Sequence, residues 1–273
     1  MNKKPLTRDE QFLAKAAGDD VPMPKPLTRV QEFLERIVER LSGSVTEETL
    51  SNAIAPLNAS IAQLNRKTIQ FRHGKGTFTA TAAGTNIVWE YGSQEIQGES
   101  CTFDVKSDNG LITLECDTIK NLTIKNDTKN KMDLSDLGGK ITSTLSLYNC
   151  SNITGDLSDL GGKITNWLSL KGCKNITGDL SDLDGKISNM LNLGYCSNIT
   201  GVYSGIKYPK TFIVSKTAIT SADMDANLIN FAASGVKSGK FTAAGMKRTA
   251  ASDNAVATLV ANGWTVSGLT KEG

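Results

Sequence analysis

The sequence predicts a chain of several modules, mainly β with some α, and three observations support this fold class. A 23-residue repeat occupies residues 131–200, a stretch of alternating apolar and polar residues precedes it, and two helix-start motifs open the chain. Repetition at a fixed period is typical of a stacked solenoid. We expect an N-terminal helical anchor, a short coiled coil, a small β-module, a solenoid and an α/β cap, with the boundaries 1–43, 44–70, 71–118, 119–220 and 221–273.

The anchor is predicted from a motif that occurs twice, KPLTRDEQFLAKA and KPLTRVQEFLERI. In each copy a Thr and a Glu or Gln stand at capping-box spacing, followed by a small apolar patch. The patches could pack on their own protein, or the two copies could be docking peptides that bind a repeated surface on a partner with avidity; we favour the second interpretation. The predicted anchor residues are Pro5, Leu6, Thr7, Arg8, Phe12, Leu13, Pro26, Leu27, Thr28, Arg29, Phe33 and Leu34.

The coiled coil is predicted from apolar residues spaced alternately by four and three. They are Leu50, Ile54, Leu57, Ile61 and Leu64. This heptad spacing indicates a homo-oligomer, but Pro56 interrupts the helix and the seam is too short to set the number of chains.

The β-module is predicted from the period of two between Phe71 and Asn130, with a turn signal at Asn109-Gly110. His73 is the single histidine and lies in the Gly-rich stretch RHGKG. A satisfied or solvated loop residue is the favoured interpretation, ahead of a catalytic one.

The repeat contains apolar residues at the same positions in every copy, which predicts their burial. The strand positions, for example, are Leu145, Leu168, Leu191 and Leu147, Leu170, Leu193. The string L-x-L-x-x-C-x-N-I resembles the leucine-rich-repeat family, including its variant with Cys after the strand. That resemblance implies a solenoid with one strand per repeat. The chain departs from the family at Ile141, Ile164 and Ile187, which lie four residues before the strand pair, so we expect a bulge there.

The cysteines and aspartates of the repeat are candidate metal ligands, and both have a structural interpretation. Cys150, Cys173 and Cys196 form one ladder without a further soft ligand nearby, so buried thiols are favoured. The DLSD aspartates could form an oxygen-lined calcium ladder, but capping of their own backbone is the commoner role. We expect no metal and no cofactor.

The outward strand positions differ between the copies, and this variation marks the candidate binding site. Exposed aromatic side chains beside Asn and Lys suit contact with a saccharide or a protein. Unconstrained variation of the surface is the alternative for any single residue. The predicted ligand-binding residues are Tyr148, Trp167, Lys171, Met190, Asn192 and Tyr195.

The cap is predicted from two helix signals and two strand signals after residue 220. Ser221 is the expected N-cap of the first helix, with Leu228, Ile229 and Phe231 on its inner side. The second helix should begin near Ser252.

Composition and order together indicate a structural protein. The net charge of +2 gives no general reason to expect nucleic acid or membrane insertion, and no apolar stretch suits a signal peptide or a bilayer span.

The doubled PLTR-x-x-x-FL motif is similar to N-terminal segments of phage virion proteins. That resemblance implies a head or tail fibre, usually a trimer, located in the virion and synthesised in the host cytoplasm. Its expected partners are a capsid or other virion protein and a host cell-surface protein or glycan. The alternatives are a bacterial leucine-rich-repeat adhesin, which should carry an export signal, and a polysaccharide-degrading appendage. No paired carboxylates stand apart from the repeat turns, so we expect no enzyme.

Overall fold

The computed structural model describes residues 66–183 and 185–272, together with the isolated residues 52, 55 and 56. The chain divides into two compact units, residues 1–66 and 67–273. The predicted anchor residues and the five heptad residues lie outside the described residues.

Seven strands precede the repeats. They are β1 (Lys67–His73), β2 (Gly76–Thr85), β3 (Val88–Tyr91), β4 (Gln94–Gln97), β5 (Ser100–Val105), β6 (Gly110–Cys116) and β7 (Thr118–Ile124). Strands β1, β6, β3 and β4 form an antiparallel sheet in that order, and β5, β2 and β7 pair antiparallel with one another. Buried aromatic rings fill this part of the core: the ring centroid of Phe71 lies 5.5 Å from that of Phe78 and 6.2 Å from that of Trp89.

The repeats and the cap contribute the remaining elements. These are β8 (Ile141–Ser146), β9 (Thr154–Asp156), β10 (Trp167–Ser169), β11 (Asn175–Asp179), β12 (Met190–Asn192), β13 (Asn198–Thr200), β14 (Thr211–Ile213), α1 (Ser221–Ala233), β15 (Lys240–Arg248), α2 (Asp253–Ala261) and β16 (Thr265–Lys271). Short 3₁₀ turns at Leu134–Asp136, Leu157–Leu160 and Leu180–Leu183 lie between the repeat strands.

One nine-stranded sheet crosses most of the second unit, in the order β16-β15-β14-β12-β10-β8-β7-β2-β5. Strand β7 pairs antiparallel with β2 and parallel with β8, and every pairing from β7 to β16 is parallel. Leu145, Leu168 and Leu191 lie opposite one another and continue into Phe212 and Phe241, all of them buried. Strands β9, β11 and β13 form a separate parallel sheet.

The predicted fold class is wrong. The described residues are mainly β in three sheets with two α-helices, and neither a solenoid nor a helical anchor or coiled coil is found among them. Three of the repeat strands, β8, β10 and β12, are instead the middle of the nine-stranded sheet, because the edge of β7 that does not pair with β2 pairs with β8. Residues 67–70 were predicted to be the end of the coiled coil, but they begin the strand β1. In this strand the buried residues Ile69, Phe71 and His73 alternate with polar residues.

The bulge predicted at the start of the repeat strand is present in the first copy. Ile119 pairs with Ile141 and Asn121 with Thr144, so β8 contains one extra residue at this point. The extra residue brings Leu145 back into register with Leu122.

The cap contains the two predicted helices with small differences. Thr220, rather than Ser221, caps α1, because its side chain accepts a hydrogen bond from the Asp223 N–H. Leu228 and Phe231 are buried as predicted, whereas Ile229 is 44% exposed and does not belong to the inner side. In the described part of the chain, no helix has the length and apolar character needed to cross a membrane.

Candidate ligand-binding face

The outward face is formed by the side chains of the parallel strands that point away from the buried leucines. In-register pairing places residues 23 positions apart side by side. One row contains Thr144, Trp167 and Met190, and the next contains Ser146, Ser169 and Asn192. Equivalent positions of the three repeats therefore lie next to one another on one surface.

A first groove of about 500 Å³ runs across this face, a volume within the usual range for ligand sites. It is lined by Thr123, Lys125, Asn126, Thr144, Ser146, Tyr148, Trp167, Ser169, Met190 and Asn192. Four of the six predicted ligand-binding residues are among them: Tyr148, Trp167, Met190 and Asn192.

The groove exists because small and large side chains alternate between neighbouring rows. Ser146 and Ser169 are short and nearly buried, with 8% and 4% of their surface exposed. Trp167 lies in the adjoining row and is 37% exposed. An accessible indole beside short hydroxyl side chains provides an apolar stacking surface next to hydrogen-bonding groups.

The other two predicted residues do not line the groove: Lys171 lies beside Tyr148, and Tyr195 lies beside Lys171. The Lys171 ammonium is 5.0 Å from the centroid of the Tyr148 ring and 5.9 Å from that of the Tyr195 ring. It also donates a hydrogen bond of 3.3 Å to the Tyr148 hydroxyl. Such cation–π contacts contribute about 0.5–1 kcal/mol at exposed sites, so the two rings hold the positive charge in place.

A second groove of about 360 Å³ adjoins the first. It is lined by Thr77, Thr79, Lys125, Asn126, Asp127, Thr128 and Lys129, so the two grooves share Lys125 and Asn126. Asn126 has a φ of 56° and its N–H donates to the Tyr148 carbonyl at 2.7 Å. Its side-chain oxygen accepts a hydrogen bond of 3.1 Å from Asn149. The segment after β7 is thus attached to the first repeat.

Buried hydrogen bonds to Asp127 also hold the segment that follows β7. His73 is fully buried at the end of β1, and its Nε2 lies 3.1 Å from Asp127 Oδ1. The N–H groups of Lys129 and Asn130 donate to the same oxygen at 2.9 and 3.1 Å. The histidine was predicted to be a satisfied or solvated loop residue, but it lies in a buried strand, where Nε2 has a partner and the buried Nδ1 has no hydrogen-bond partner among the described residues.

The DLSD aspartates cap the 3₁₀ turns, which was the favoured interpretation of their spacing. Asp156 Oδ1 accepts from the Ser158 N–H at 3.0 Å, and the Asp156 N–H donates to Asp159 at 2.8 Å. Hydrogen bonds from Thr154 and Ser135 lower the pKa of Asp133 in the equivalent turn. Across residues 66–183 and 185–272, no group of three or more His, Cys, Asp or Glu side chains is arranged to hold a metal ion.

The cysteine ladder is structural. Cys173 and Cys196 donate their thiols to the carbonyls of Leu147 and Leu170, each at 2.9 Å. Burial raises the pKa of Cys150 to about 11 and that of Cys196 to about 12. These thiols remain protonated at neutral pH and are poor nucleophiles and metal ligands.

Sequence reasoning missed the contribution of β7 to the site. Thr123 in β7 pairs with Ser146 in β8, and Lys125 and Asn126 follow directly after the end of β7. The register of Leu122 and Ile124 with the repeat leucines was the signal that could have placed Thr123 in the same row.

Comparison with known proteins adds no family to these observations. No family model matches the chain, and no match is found among curated proteins or among solved structures.

Proposed function

We propose that this chain is a structural fibre protein of a phage virion, which binds the host surface or its glycans through the first groove. The binding part rests on one observation: the exposed Trp167 lies in the row next to the short, nearly buried side chains of Ser146 and Ser169, and all three line the first groove. Sugar rings present apolar faces and hydroxyl edges, and this combination of an indole with small polar side chains is complementary to both.

The scaffold supports the proposal because the binding side chains lie on paired strands. Trp167 lies between Thr144 and Met190 in the parallel ladder, and Lys171 is held by two tyrosine rings. Side chains that are held before binding lose little conformational entropy when a ligand is bound.

The fibre part of the proposal is supported by the N-terminal sequence. Residues Pro5–Leu13 and Pro26–Leu34 repeat a motif similar to segments of phage virion proteins. Two copies on one chain raise the effective concentration of the second binding event once the first has formed. The same resemblance leads us to propose a homo-oligomer, with a trimer as the expected assembly.

The binding part is tested with envelope fragments and extracted surface glycans from a panel of bacteria. We expect Trp167→Ala to weaken binding of the full chain by about 30-fold or more, the effect of removing a central aromatic contact worth about 2 kcal/mol. Ile206→Ala removes another large apolar side chain, 84% exposed and outside both grooves, and is the matched control. Unchanged binding by a folded Trp167→Ala variant would contradict the proposal.

The fibre part is tested separately. Phage particles produced with a chain that lacks residues 1–43 should contain none of it, whereas particles made with the full chain should retain it. Sedimentation equilibrium of the full chain should give three times its mass of 29.2 kDa. Incorporation of the shortened chain at the normal level would contradict the anchor, and a monomer across the concentration range would contradict the assembly.

A further inference from the structure

The parallel part of the nine-stranded sheet contains no acidic residue in its strands. Seven strands form this part, and none of their sequences includes an Asp or a Glu. They are β7, β8, β10, β12, β14, β15 and β16. In a chain with 28 acidic residues this leaves the outward face without negative charge along its strands.

The aspartates of the repeats lie in the turns and are engaged there. The leading aspartate of each turn, Asp133, Asp156 and Asp179, accepts hydrogen bonds from the backbone N–H and the hydroxyl of the serine two residues later. Their charges are therefore used to cap the 3₁₀ turns.

Positive charges lie at the grooves and are not neutralised there. Lys125 lines both grooves, and Lys171 lies against Tyr148. Among the described residues, no carboxylate forms an ion pair with either of these lysines. The acidic side chain that does line the second groove, Asp127, is only 9% exposed, and its Oδ1 is occupied by three hydrogen-bond partners.

We infer that the ligand of this face is an acidic glycan. One ring of it stacks on Trp167, and its carboxylate or sulfate groups pair with Lys125 and Lys171. The two grooves share Lys125 and Asn126, so a chain of several sugar units can follow the face from one groove into the other. This inference rests on the proposed function, because it names the class of glycan that the first groove binds.

The test uses the full chain and pairs of oligosaccharides that differ in charge alone. One pair is hexagalacturonate and its methyl ester; the other is a chondroitin sulfate hexasaccharide and its desulfated, carboxyl-reduced form. We expect the acidic member of at least one pair to bind about fourfold or more tighter than its neutral counterpart, with a difference that shrinks as salt is added. The pair that shows the difference distinguishes carboxylate from sulfate recognition.

Single lysine variants assign the charges. Lys125→Gln and Lys171→Gln should each weaken binding of the acidic member by about two- to fivefold, the range of an exposed ion pair, and leave the neutral member unchanged. Lys174→Gln, at an exposed position outside both grooves, is the matched control and should change neither. Because all three substitutions are at the surface, a thermal unfolding curve that matches the parent chain shows that each variant is folded.

Three results separate this inference from the proposed function. Equal binding of both members of each pair, lost in Trp167→Ala, would overturn the acidic ligand and leave the proposed function standing. Binding to envelopes that depends on Trp167, without binding to any oligosaccharide of the two pairs, would likewise overturn the inference alone. Absence of any effect of Trp167→Ala would overturn both.

Discussion

Replacement of Leu168 by Ala should destabilise residues 67–273 as a whole. Leu168 lies in the middle of β10, fully buried between Leu145 and Leu191. Loss of a buried leucine side chain costs about 2–5 kcal/mol, and we take about 3 kcal/mol for this site. In a unit of this size each kcal/mol lowers the melting temperature by about 2–4 °C, so the expected decrease is about 6–12 °C.

The three tryptophans allow this effect to be measured in separate parts of residues 67–273. Trp89 lies before the repeats, Trp167 within them and Trp264 in the cap. Two backgrounds are compared, one retaining only Trp89 and one retaining only Trp264, each with and without Leu168→Ala. Trp89 lies in β3 of the four-stranded sheet, but its ring centroid is 6.5 Å from that of Phe78 in β2, which belongs to the nine-stranded sheet. Because this core packing joins the two sheets, we expect both fluorescence transitions to move together. Lys174→Ala is the control and should move neither. A Trp89 transition that stays in place while the Trp264 transition moves would refute the reasoning, because it would show that the two parts unfold independently.

Three further substitutions or measurements follow from the same structure. Gly178 and Gly98 have nearly the same φ, 124° and 122°, but an added Cβ at Gly178 would lie 2.8 Å from the Leu157 backbone nitrogen, whereas at Gly98 no atom of the described residues other than its chain neighbours lies within 4 Å. Gly178→Ala should therefore cost clearly more in chemical unfolding than the strain of about 1–3 kcal/mol expected for Gly98→Ala, and equal costs would contradict the close approach. All five cysteines are buried, so a thiol reagent should react with fewer than one thiol in the native chain and with five in denaturant; rapid native reaction would contradict their burial. Burial raises the pKa of Asp225, but hydrogen bonds from Ser252 and Thr249 lower it by more, so its folded-state pKa lies below the ordinary value of an aspartate. The stabilisation from Asp225 is thus complete at pH values above the ordinary pKa of an aspartate, and it is lost as the pH falls through the folded-state pKa. Asp225→Asn should cost about 1–3 kcal/mol at pH 7 and flatten the acid end of the stability profile, and an unchanged profile would count against the network.

The buried positions of the repeat could be predicted because they depend on local periodicity. Leu168, Leu170 and Cys173 are buried as their recurrence at 23 residues indicates. In-register pairing then determines which residues share the outward face, and it places Trp167 beside Met190.

The continuity of the sheet could not be predicted in the same way. Alternating apolar residues indicate that β2 and β7 are strands, but not which strands pair with them. The pairing of Ala82 with Leu122 joins β2 to β7 across the four strands between them in the sequence, whereas Leu122 pairs with Leu145 at the spacing of the repeat itself. The predicted solenoid was wrong because the repeat indicates only the spacing of its own strands. It does not indicate which other strands pair with the first and last of them.

The missed site residues depend on the same long-range pairings. Lys125 and Asn126 reach the grooves because β7 lies beside β8, and Asp127 meets His73 across 54 residues of chain. A lysine followed by an asparagine after a strand has no local pattern that indicates a binding site.

The most direct test of the proposed binding face is hydroxyl-radical footprinting of the full chain, free and bound to host envelope fragments. Trp167 and Tyr195 are exposed on or beside the first groove, whereas Ile229 and Val260 are exposed on the helices of the cap. We expect oxidation of Trp167 and Tyr195 to fall on binding while oxidation of Ile229 and Val260 stays the same. Protection of the two cap residues with unchanged oxidation of Trp167 would contradict the assignment of the binding face.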